Sequence, residues 1–74
     1  GVYRIIIKMK IEIDKEVDAA YIYLKDNIGD ADVARTISIN NDIVLDFDTG
    51  NKLVGIEVLN ASKNLVKSPE KLAA

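Results

Sequence analysis

Ile43-Val44-Leu45-Asp46-Phe47-Asp48-Thr49-Gly50-Asn51-Lys52-Leu53-Val54-Gly55-Ile56-Glu57-Val58-Leu59 is the stretch that decides the fold. Ile43, Leu45 and Phe47 alternate with Val44, Asp46 and Asp48, the period of two that sends successive side chains to opposite faces of a sheet. Asp48-Thr49-Gly50-Asn51 then reads as a tight turn in which Gly50 takes the positive φ. Beyond the turn Val54, Ile56 and Val58 share one face, while Leu53, Gly55, Glu57 and Leu59 share the other. Both faces of this strand are partly apolar, which puts it at the centre of a sheet or against a helix. Gly55 marks a bulge or a close approach, with Tyr23 or a C-terminal helix as the element expected to fill the space.

Upstream, Arg35 to Asn40 places Ile37 and Ile39 inward, and Asn40-Asn41-Asp42 is the turn of a hairpin leading into the strand at Ile43. Lys8 to Ile13 alternates Met9, Ile11 and Ile13 against Lys8, Lys10 and Glu12, a half-buried strand that Val2 to Ile7, apolar apart from Arg4, could extend. Asp14-Lys15-Glu16-Val17-Asp18 carries four charges in five residues, which suits a turn or a single helical turn capped by Asp14. Alternation resumes with Ala20, Ile22 and Leu24 on one face and Tyr21, Tyr23 and Lys25 on the other, followed by a loop over Asp26 to Asp32. After Leu59 the pattern becomes helical: Asn60 or Ser62 caps a short helix, and Ser68-Pro69-Glu70-Lys71 is a second helix start.

The sum is a single mainly β (α+β) domain over residues 1–74. It is a small antiparallel β-meander of about five strands, with a short helical turn after the first and a short C-terminal helix. The expected core is Ile11, Ile13, Ile22, Leu24, Ile37, Ile39, Leu45, Phe47, Ile56 and Val58. So small a chain gains only about 3–5 kcal/mol from one core, and an open meander has two edges. Self-association as a homodimer, through an edge strand or the tyrosine face, relieves both problems.

Composition narrows the chemistry. With no His and no Cys, disulfide scaffolds, zinc fingers, cysteine nucleophiles and His-based triads are excluded. A net charge of −2, with both signs spread along the chain, argues against a phosphate-binding surface. The basic residues Lys63, Lys67 and Lys71 read as a solvated face. No apolar run, Ile5 to Ile7 included, comes near the length needed to span a bilayer, and no signal-peptide pattern follows Arg4. The expectation is a cytoplasmic protein without a nucleic-acid or membrane partner.

Two separated motifs, Met9-Lys-Ile-Glu-Ile-Asp-Lys-Glu-Val-Asp-Ala-Ala-Tyr-Ile-Tyr-Leu24 and Ile43-Val-Leu-Asp-Phe-Asp48 with Leu53-Val-Gly-Ile-Glu-Val-Leu-Asn-Ala-Ser62, together resemble the prokaryotic domain of unknown function 2283 family. The resemblance covers residues 9–63, with Ala20 where the family pattern usually has Leu, and leaves residues 1–8 as an N-terminal extension and 64–74 as a C-terminal helix or tail. It implies a small antiparallel sheet and no established activity. Members often sit beside small proteins related to ribonuclease toxins, which implies an antitoxin-like or partner-binding role.

Three constellations bear on function. Asp46, Asp48 and Glu57 imitate calcium-loop positions, but Gly50 and Asn51 stand where an oxygen ligand and the invariant Gly belong, so no metal or cofactor is expected. Paired carboxylates such as Asp14 with Asp18, or Asp46 with Glu57, lack a nucleophile and a pocket, and Glu57 is expected opposite Lys or Arg across strands. Tyr21 and Tyr23 lack the flanking positive charge of a stacking platform for single strands and fit a protein interface. The reading is therefore a non-enzymatic interaction module, antitoxin-like, whose surface comprises Tyr21, Tyr23, Asp46, Asp48 and Glu57. The alternative is a small-ligand binder or weak carboxylate-based enzyme.

Overall fold

The alternating segments form strands, and the turn residues bound them. A computed structural model describes residues 9–25 and 29–67, with β1 at Lys10–Asp14, β2 at Ala19–Tyr23, β3 at Arg35–Ser38, β4 at Ile43–Phe47, β5 at Leu53–Val58 and α1 at Ala61–Asn64. A 3-10 turn at Asp30–Asp32 lies in the long connection. All five strands pair antiparallel in one sheet, in the order β1-β2-β5-β4-β3.

That order corrects the meander. β5, last in sequence, inserts between β2 and β4, the position that buries Val54, Gly55 and Val58 and gives the strand a neighbour on each side. The polar strand β3, all of whose residues are exposed, takes an edge instead of pairing with β2. Register slips by one between Asp46 and Phe47, so that Asp46 faces Gly55 while Phe47 faces Leu53.

The turns follow local chemistry. Asn40 Oδ1 accepts from the amides of Asp42 and Ile43 at 2.8 and 2.9 Å, closing the β3–β4 hairpin. In the β4–β5 turn the positive φ belongs to Asn51, at 62°, and not to Gly50. Asn51 N donates to Asp48 O at 3.0 Å, so Thr49 and Gly50 occupy the ordinary turn positions and the left-handed residue comes after them. Residues 15–18 form a turn with no helix; Asp14 Oδ1 accepts from Glu16 N at 3.1 Å.

Asn60 holds the N-cap position of α1 with a left-handed backbone but does not cap it through its side chain, and Ser62 lies inside the helix. The cap comes from Asp18, whose carbonyl accepts from Ala61 N at 2.7 Å and whose carboxylate accepts from Ser62 N at 3.1 Å and Ser62 Oγ at 2.6 Å. Asp42 adds a second tether, accepting from Asn60 Nδ2 at 3.1 Å and Asn64 Nδ2 at 2.9 Å.

The expected core is corrected as well. Among the described residues Ala20, Val54, Val58 and Ala61 are buried, and Ile37 and Ile39 are 40% and 61% exposed. Of the ten expected core positions only Val58 is buried; Ile11, Ile13, Ile22, Leu24, Leu45, Phe47 and Ile56 are half-buried. The reason is that, among the described residues, one sheet layer has only a four-residue helix above its apolar face. The N-terminal extension and the helix start at Ser68 lie outside the described residues. No helix among the described residues is long and apolar enough to cross a membrane.

Candidate functional site

Register assembles the site on the other face. Lys10, Tyr23, Gly55, Asp46 and Thr36 form one cross-strand row, and Glu12, Tyr21, Glu57, Val44 and Ser38 form the next. The Tyr21 ring lies diagonally across Gly55: a Cβ there would stand 2.6 Å from Tyr21 Cζ and 2.7 Å from Cε1. Tyr21, not Tyr23 or the C-terminal helix, is thus the group for which position 55 is kept bare. Having crossed β5, the Tyr21 hydroxyl donates to Asp46 Oδ2 at 2.5 Å, and Thr36 Oγ1 donates to Asp46 Oδ1 at 3.0 Å. One carboxylate therefore ties β2 and β3 to β4.

Tyr23 extends the frame to β1. Its ring centroid lies 4.5 Å from that of Tyr21 at 52°, a tilted pair, and its hydroxyl donates to Glu12 Oε2 at 2.9 Å. Lys10 Nζ sits 3.1 Å from Glu12 Oε1 and 5.5 Å from the Tyr23 ring centre. Burial, then the bond to Asp46 and the nearby acids, pushes the Tyr21 phenol well above its ordinary range. The bond to Glu12 raises Tyr23, and the same bond, with Lys10, lowers Glu12. Both phenols remain protonated donors at neutral pH, a state suited to holding geometry.

Beside this frame an open groove of about 660 Å3 is lined by Glu12, Asp14, Lys15, Glu16, Tyr21 and Glu57, among others. Its carboxylates outnumber its one lysine. Of the residues singled out from sequence, Tyr21, Tyr23, Asp46 and Glu57 share this face, and the cross-strand neighbours of Glu57 are Tyr21 and Val44, not Lys or Arg. Asp48 belongs to the β4–β5 turn, where its Oδ1 accepts from Lys52 N at 2.9 Å and its amide donates to Lys52 O at 2.9 Å. Glu12 and Glu16 were not singled out, and Asp14 was weighed only as a cap and in a carboxylate pair with Asp18. Pairing β1 with β2 as a hairpin would have brought Glu12 opposite Tyr21 and Asp14 opposite Ala19. Among the described residues no group of three or more acids converges as a metal site.

The profile of the family described as protein of unknown function (DUF2283) matches residues 10–62. The chain belongs to this family. The chain is also similar to the uncharacterized protein MJ0789 of Methanocaldococcus jannaschii, 41% identical over 56 residues, which make up 76% of this chain and 44% of that protein. The match thus spans less than half of the relative's length. No solved structure matches the chain. The DUF2283 match takes in both the tyrosine strand and the Asp46–Gly55 pair, and therefore the whole polar frame.

Proposed function

We propose that the chain is a non-enzymatic interaction module that offers its polar sheet face to a partner with a basic surface. The observation behind this is the acidic groove held beside a rigid frame: Glu12 and Tyr21 are each fixed by a hydrogen bond before anything docks. Preorganised side chains lose little freedom on binding, opposite potentials speed encounter, and tyrosine is enriched at interfaces. In its finer form the proposal makes the chain an antitoxin-like protein and its partner a small, basic, ribonuclease-type toxin.

The test is co-expression with the product of the adjacent reading frame, followed by pull-down and titration. Capture should weaken with added salt, and the double variant Glu12→Lys, Glu57→Lys should bind about tenfold or more weakly. Undiminished capture by that variant, or a small molecule that raises the melting temperature with no protein partner, would replace this reading with the ligand-binding one.

A further inference from the structure

The opposite face of the sheet is apolar along two cross-strand rows, with Arg35 over the Phe47 ring at its β3 corner. Ile11, Ile22, Ile56, Leu45 and Ile37 stand in register as one row across all five strands. The adjacent row, Ile13, Ala20, Val58 and Ile43, is the one on which α1 sits: Ala61 completes a buried cluster with Ala20 and Val58, and Leu65 packs against it. With four residues, α1 is only about 6 Å long and by itself reaches the first row only at Ile56, which packs against the same cluster. Among the described residues no large side chain is fully buried.

We propose that a second copy of this chain closes this face, the two sheets packing apolar side to apolar side about a two-fold axis. The two rows contain no charged residue, so a matching surface must itself be apolar, and the face supplies one to its own copy, as a two-fold interface requires. The other face cannot serve. Its strand residues carry Glu12, Asp14, Asp46 and Glu57 against Lys10, on a chain of net charge −2, and two such faces repel.

The area agrees. Five strands about 4.8 Å apart, each roughly 17 Å long, give a plane of roughly 400 Å2. Standing side chains corrugate it toward the lower end of the roughly 600–1,000 Å2 per partner that specific complexes bury. Aligned sheets about 10 Å apart would interdigitate the two isoleucine rows. This proposal uses the face opposite the acidic groove and stands or falls separately from the proposed function.

Sedimentation equilibrium of the full chain is the test. Wild type should be dimeric at micromolar concentration. Ile37→Glu and Ile11→Glu, at opposite ends of the row, should each remain folded by circular dichroism and raise the dissociation constant about tenfold or more. If a glutamate unfolds the β1 edge, Ile11→Thr keeps the branched shape and should raise it by a smaller factor. Glu57→Lys should leave it unchanged or lower it. A monomer throughout, a dimer weakened by Ile37→Glu alone, as edge-to-edge pairing of β3 would give, or one broken by Glu57→Lys would overturn the proposal.

Discussion

A methyl group at position 55 would meet the Tyr21 hydroxyl first and then the ring, 2.6 Å from Cζ. Since that ring is held by Asp46 and packed on Tyr23, it cannot swing away freely, and Gly55→Ala should destabilise the fold by about 1–3 kcal/mol in urea melts. The same change in a Tyr21→Ala background should cost far less; additive losses would show that ring and glycine are independent. Tyr21→Phe, which removes only the hydroxyl, should cost about 1 kcal/mol. The folded phenol titrates above its unfolded value of about 10, so its contribution is complete below that value and is lost as pH rises through the folded one. The stability of Tyr21→Phe should accordingly fall less than that of wild type on the alkaline side. None of this coupling is visible in the sequence, where Tyr21 and Gly55 are ordinary members of two separate strands.

At the scale of elements, strands and turns were legible because their signals are local: period-two alternation, and Asn and Asp at the bends. What was not legible depends on partners distant in sequence. The α1 cap is Asp18, 44 residues from Ser62, and no capping pattern within residues 60–64 could reveal it. Asp18 also has a φ of 54°, which Asn tolerates and Ala does not. Asp18→Ala should lower stability by about 0.5–2 kcal/mol and speed amide exchange at Ser62, whereas Asp18→Asn should retain most of both. Asp42 tests the second tether. Its bonds from Asn64 and Asn60 lower its folded titration below the ordinary carboxylate range, so the stability it adds is present above that range and disappears as pH falls through the folded value. Acid melts of Asp42→Asn should be less steep than those of wild type over that interval; an unchanged slope would remove Asp42 from the account.

For the whole molecule, alternation correctly separated an apolar from a polar face, yet the apolar residues were expected to be a finished core. Most are only half-buried instead, because the described residues form one five-stranded layer with only α1, among the described elements, above it. The polar face showed the opposite pattern of legibility: its tyrosines and Asp46 stood out in sequence, but its acidic groove needed the β1–β2 register. The central claim is that the two faces serve different contacts, the apolar one a second copy and the acidic one a basic partner. A chain without native cysteine allows the cleanest measurement, the thiol-modification rates of Ile37→Cys and Glu57→Cys as a function of protein concentration. The account predicts that Ile37→Cys becomes protected as concentration rises while Glu57→Cys stays reactive until the partner is added. Protection of Glu57→Cys by self-association, with Ile37→Cys reactive throughout, would contradict it.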